Sequence, residues 1–196
     1  MKTSTRQLIV TAVMGAIAFI LMMFSFPILP AIPFLKVDFS DVPILFTTFL
    51  FGPWSGAGAA FVRNFLHYMQ TGGNAGYPIG DMASFIATLS YCLPIYYILR
   101  NYDLRLSKQV ETAKYYVKVC FAFAIGSVLM TFVLSLANYY VITPFYMAVM
   151  NFEIPNMQEY ILYGIVPFNL LKGLIISIAN FIVLSAALPV AKRRLV

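Results

Sequence analysis

The stretch "VPILFTTFLFGPWSGAGAAFVRNFLHYMQT", residues 42–71, decides the fold. It is apolar enough for lipid, yet two full membrane helices need about twenty residues each. The Gly52–Pro53 step at its centre reads equally as a turn between two helices or as a kink in one. Around it lie apolar segments near 7–26, 79–100, 115–142 and 160–190, divided by "FPILPAIP", "TGGNAGYP", "RNYDLRLSKQVETAK" and a loop over 143–159. A kinked helix at 42–71 gives five spans, and an in-and-out pair gives six.

Charge separates the two. With six spans, the N-terminus, the 100–118 loop and the C-terminus share one side. That side then holds Lys2, Arg6, Arg100, Arg105, Lys108, Lys114, Lys118, Lys192, Arg193 and Arg194, ten of the thirteen basic residues. The opposite side holds Lys36 with Asp38, Asp41, Asp81, Glu153 and Glu159. Five spans would export Arg100 to Lys118, against the bias of basic loops toward the cytoplasm. The expectation is an all-α polytopic membrane protein: six transmembrane helices in a single bundle, one domain over 1–196, both termini cytoplasmic. Spans two and three must be short or broken, and irregular backbone at membrane depth survives only where protein buries it or where it lines a cavity.

Composition agrees with this class. Hydrophobic residues are 61% of the chain and charged residues 10%, with a mean hydropathy of +0.84. The basic start before a long apolar run resembles a signal peptide, but the run is about twenty residues long and has no small-residue cleavage site, so it reads as the first span. Cys92 and Cys120 are isolated in apolar segments and point to packing rather than to a disulfide or zinc site. No phosphate-cradling glycine motif occurs, and the formal charge of +6 follows from topology. The chain is therefore expected neither to hydrolyse ATP itself nor to bind nucleic acid.

Polar residues within the spans carry the chemistry. In "FNLLKGLIISIANFIVLSAALPV", residues 168–190, Asn169 and Lys172 are three apart and share a helix face. A lysine at that depth costs about 2.5–3.5 kcal/mol on insertion scales and usually marks a function. Asn138 falls at a similar outer depth on span five. Two carboxamides and an ammonium match a flat heterocycle whose edge runs acceptor, donor, acceptor, as in a flavin or pyrimidine. The plainer alternative is hydrogen bonding between helices, and it is the reading for Asn180.

The outer loops supply the rest of a pocket. "LPAIPFLKVDFSDVP", residues 29–43, is stiffened by prolines and interleaves Phe34, Leu35 and Phe39 with Lys36, Asp38, Ser40 and Asp41. Such a loop suits a ring with a polyol tail, or else simply caps the bundle. "QTGGNAGYPIGDMAS", residues 70–84, is a second candidate lid, in which Asp81 is either a ligand contact or a helix N-terminal charge. Arg63, Asn64 and His67 form a further polar group, and Arg63 is expected to pair with a carboxylate. No paired-carboxylate, Ser/His/Asp or metal-spaced set is present, so no enzyme chemistry is expected. On span one, Ala12 and Ala16 are four apart, with Gly15 and Ala18 nearby, which allows close approach of a helix from within or outside the chain.

Taken together, the Ala12-x-x-x-Ala16 pair, "FLKVDFSDVP" followed by "FGPWSG", "RNFLHYMQTGGNAGYPIGD", Asn138 and Asn169-x-x-Lys172 resemble the substrate-binding S components of energy-coupling factor (ECF) vitamin transporters, closest to the riboflavin branch. The resemblance covers essentially the whole chain. It implies that riboflavin enters from outside and is held beneath the first loop among spans four to six, with its ring edge bonded by Asn138, Asn169 and Lys172. It also implies docking on a transmembrane scaffold subunit driven by two cytoplasmic ATPases, with ATP used only by those partners, riboflavin as cargo and no resident cofactor. An S component for another vitamin, such as thiamin, would share the architecture without the Asn-x-x-Lys face. A membrane-embedded enzyme is the more distant alternative.

Overall fold

In the computed structural model, which describes residues 4–28, 35–74, 76–101, 112–151 and 153–195, the chain doubles back at Gly52. Helix α1 spans Thr5–Met23, α2 Asp41–Phe51, α3 Pro53–Thr71 and α4 Ile79–Leu99. Gly52 ends α2 with φ +92°, a conformation that a side chain rarely adopts. Pro53 then opens α3, at a position where its missing N–H has no helical partner to lose. Residues 42–71 are thus two helices, and the six-span expectation holds.

The last two spans are longer than the sequence suggests. Helix α5 (Thr112–Ala137) passes through a π turn at Asn138–Ile142 into α6 (Thr143–Met150) without a break. Helix α7 (Met157–Tyr160) passes likewise through a π turn at Ile161–Ile165 into α8 (Val166–Leu195). The expected 143–159 loop shrinks to the few residues between Met150 and Met157. The physical reason is Pro144, which reads as a helix stop. Proline breaks the regular ladder by lacking an N–H and crowding the carbonyl four residues back. Here the ladder has already widened: the Thr143 N–H reaches back five residues to the Asn138 carbonyl. Pro167 follows its own wide turn in the same way, with the Val166 N–H bonded to the Ile161 carbonyl. The two wide turns lie against each other.

Helix α2 is the axis of the bundle. Every residue from Asp41 to Leu50 is buried, and α1, α3, α4 and α8 all pack on it. Eleven residues make only about 16 Å of helix, roughly half of a 30 Å hydrocarbon core. Gln7, near the start of α1, donates to Ser55 just past the Gly52 turn, at 2.7 Å. The turn therefore lies at the end of the bundle where the chain begins, and Asp41 starts α2 near mid-depth. The segment before it carries a two-residue antiparallel ladder, β1 (Phe26–Pro27) with β2 (Lys36–Val37), a small addition to the all-α expectation.

Helix α1 packs on α3 through small residues, though not the alanine pair. Its buried positions are Thr11, Gly15 and Ala18. A Cβ at Gly15 would stand 2.7 Å from Val62 and 2.9 Å from the Ala59 carbonyl. Ala12 is exposed and Ala16 half-buried. Of the cysteines, Cys92 is buried as expected while Cys120 lies on the exposed face of α5, so only the first serves packing. The loop positions Pro30, Pro33 and Phe34 and the charges Lys2, Arg105 and Lys108 lie outside the described residues, as do the side chains of Lys192, Arg193 and Arg194.

Candidate ligand-binding site

Arg63 stands at the centre of the polar interior. It sits eleven residues into α3, only 1% exposed, and binds the end of the first loop, the start of α2 and α4 at once. One arm of its guanidinium donates to Ser40 Oγ at 2.8 Å and to Asp41 Oδ1 at 2.9 Å. The other donates to Ser84 Oγ at 2.9 Å, the Ser84 carbonyl at 3.3 Å and Thr88 Oγ1 at 2.8 Å. Its Nε donates to Asn64 Oδ1 at 3.3 Å. Thr88 in turn donates to Asp41 Oδ1 at 2.5 Å. The expected carboxylate partner of Arg63 is therefore Asp41, and the pair ties the end of the first loop to α3 and α4. A planar guanidinium suits this task because its donors lie in a fixed fork.

The first loop enters the bundle over this node. Asp38 is buried and accepts the Ser40 N–H at 2.8 Å. Leu35 packs against the core. The Phe39 ring lies 6.3 Å from that of Phe26 and is half-buried. The predicted loop residues Leu35, Asp38, Phe39 and Ser40 are thus gathered in one place above the start of α2.

The face predicted on span six looks into the same interior. Asn169 is 2% exposed; its Nδ2 donates to the Ile165 carbonyl at 2.8 Å, and its Oδ1 has no partner among the described residues. Burying an amide oxygen without a partner is costly, so such an atom points to a missing donor. Lys172 is half-buried, one turn further along α8. Asn138 opens the first π turn, donating to the Leu134 carbonyl at 2.8 Å and accepting from Thr143 Oγ1 at 3.3 Å. The carboxamides of Asn138 and Asn169 each commit one amide hydrogen to their own helix, leaving one donor apiece. Asn180 is fully buried, donates to the Ile176 carbonyl of its own helix at 2.9 Å and, like Asn169, has an Oδ1 without a partner among the described residues.

Asp81 and His67 stand apart from this group. Although Arg63 and His67 are one helical turn apart, they do not form a common cluster. His67 Nδ1 meets Asp81 Oδ1 at 2.6 Å, so Asp81 already has a partner on α3. The second lid follows directly. Asn74 and Tyr77 form a backbone bridge, Asn74 Nδ2 donates to the Tyr146 hydroxyl at 2.5 Å, and the Tyr77 ring packs edge-on to Phe145 at 5.2 Å. This loop therefore leans on α6, across the mouth of the bundle.

Ser84 and Thr88 are the site residues that sequence reading missed. A weak signal existed: they lie four apart on α4, and a buried arginine needs more acceptors than one carboxylate supplies.

A helical bundle with polar side chains in its interior and the described loop residues gathered at its outer end is the arrangement expected of a solute-capturing membrane subunit. A family model described as "ECF transporter, substrate-specific component" matches residues 6–184. The chain belongs to that family, and it is a multi-pass membrane protein of a transport system rather than an enzyme. It is 38% identical over 175 residues to the "Riboflavin transporter RibU" of Staphylococcus aureus (strain TCH60), a match covering 88% of this chain and 85% of that one. It is 32% identical over 177 residues to the "Riboflavin transporter FmnP" of Bacillus subtilis (strain 168), covering 88% and 87%. A solved structure described as "Structure and mechanism of the S component of a bacterial ECF transporter" superposes with a TM-score of 0.74 at 36% identity, covering 98% of this chain and all of that one.

Proposed function

We propose that the chain is a riboflavin-binding S component, which takes the vitamin from the outer side and delivers it inward when docked on an ATP-driven module. The observation that carries this reading is the buried, unpartnered Oδ1 of Asn169, one turn from Lys172. The imide edge of a flavin runs acceptor, donor, acceptor. Asn169 Oδ1 is suited to its central N–H, while the Lys172 ammonium and the spare amide hydrogen of Asn138 are suited to the flanking carbonyls. The gathered loop of Leu35, Asp38, Phe39 and Ser40 offers an apolar lid for the ring and acceptors for the ribityl hydroxyls. Asp81 would contribute beneath the second lid. The names of the relatives point to the same ligand.

The energy comes from elsewhere. A transmembrane scaffold subunit and two cytoplasmic ATPases are the partners this reading requires, and ATP is used by them alone. The Ala12–Ala16 face of α1 is the proposed docking surface, since the close contacts of α1 with α3 are made by Thr11 and Gly15 instead. Riboflavin is cargo, and the reading includes no resident cofactor.

Titration of the purified protein by quenching of flavin fluorescence tests the site. Wild type binds riboflavin, and Lys172→Ala or Asn169→Ala weakens binding by about 1–3 kcal/mol, the charged partner at the upper end. Unchanged affinity in both variants removes the proposed ring-edge contacts, and no binding by the wild type removes the ligand.

A further inference from the structure

The polar group around Arg63 contains a side chain, Asn64, whose amide nitrogen the ring-edge and loop contacts leave unused. Arg63 spends its guanidinium on the first loop, α2 and α4, and His67 meets Asp81. Asn64 is 6% exposed, and the orientation of its carboxamide is fixed by chemistry: an arginine Nε only donates, so the atom it meets at 3.3 Å is the amide oxygen. The nitrogen on the other branch carries two hydrogens and has no partner among the described residues. A buried donor left bare is costly, so it points to an absent acceptor.

Its place indicates which acceptor. Helix α3 runs outward from the Gly52 turn, and Arg63 meets Asp41, the first residue of α2. Asn64, the next residue outward, therefore stands level with the point where the central helix gives way to the first loop. The guanidinium that orients Asn64 also holds Ser40 of that loop, so both belong to one node. On the other side of α2, which packs on both α3 and α8, Asn169 presents a bare acceptor. A guest that serves both must bring a donor to α8 and an acceptor oxygen to α3.

We propose that Asn64 Nδ2 is a subsite for the polyol tail of the cargo, donating to a hydroxyl oxygen of the ribityl chain while the ring edge is held on α8. This deepens the riboflavin reading above and rests on it, adding α3 to the elements that touch the vitamin. A neutral amide suits the task, because it bonds a hydroxyl oxygen without burying a further charge.

The test compares riboflavin with lumiflavin, the same ring bearing a methyl group in place of the polyol, each titrated by fluorescence quenching. Asn64→Leu weakens riboflavin binding by about tenfold, a lost hydrogen bond to a buried donor, and lumiflavin binding by less than about twofold. Because Asn64→Leu also strips the acceptor from Arg63 Nε, a second variant isolates the donor. Asn64→Asp keeps an oxygen for Arg63 and removes the amide hydrogens, and it shows the same riboflavin-specific loss. Equal losses for the two flavins in both variants would overturn the proposal and make Asn64 a support for Arg63. Wild-type affinity for riboflavin in Asn64→Asp would overturn it as well, as would a wild-type protein that binds lumiflavin as tightly as riboflavin. Failure of the wild type to bind either flavin would instead strike the ligand assignment, and the subsite with it.

Discussion

Arg63 shows how a single residue can be legible in sequence and its role only half so. An arginine inside a membrane span demands a carboxylate, and Asp41 was among the candidates. That the fork also gathers Ser40, Ser84 and Thr88 depends on how α4 rotates against α3, which no local pattern encodes. Removing one partner of a buried ion pair costs about 3–5 kcal/mol, because the other charge is left in low dielectric. Arg63→Met should therefore lower the thermal melting temperature sharply in detergent, while Arg63→Met combined with Asp41→Leu should recover much of the loss. Equal destabilisation in the single and double variants would mean that the hydroxyl contacts, rather than the ion pair, dominate. The Asn169-x-x-Lys172 face was readable for a simpler reason: helix geometry alone places residues three apart side by side.

At the scale of the element, spacing identified the small residues of α1 but not their division of labour. Ala12 and Ala16 share one face and Gly15 and Ala18 lie toward another, a rotation that only the packing on α3 fixes. The two faces should fail differently. Gly15→Leu drives a side chain into Val62 and the Ala59 backbone and should destabilise the bundle by about 1–3 kcal/mol or more, as overpacking does. Ala12→Trp or Ala16→Trp should instead leave riboflavin affinity near normal while abolishing co-purification with the ATPase-bearing module and uptake into cells. Loss of vitamin binding in the tryptophan variants would assign these alanines to internal packing. The π turns mark the limit of sequence reading at this scale. Pro144 signals a stop, and nothing nearby announces that a wide turn will absorb it.

For the molecule as a whole, charge asymmetry gave the number of spans, since basic loops fix orientation irrespective of packing. It also bears on selectivity. The outer charges are fewer than a sequence count implies, because Asp38, Asp41 and Asp81 are buried and bonded. Among the described residues, those exposed there are Lys36 against Glu153 and Glu159. Riboflavin should accordingly bind more tightly than its mononucleotide, by about tenfold or more, given repulsion and an unpaired phosphate. Competition in the quenching assay reads this directly, and equal or tighter binding of the mononucleotide would contradict it.

The shortness of α2 sets the geometry of the journey. On the proposed reading, a guest seated beside Asp41 from the outer side would have passed through roughly half of the 30 Å oily layer before the ATP-driven step. What separates it from the far water is then a plug about 16 Å tall, the height of eleven helical residues. If the proposed reading holds, the energy-consuming step would have to open only the lower half of the barrier, since the central helix fills no more than that half.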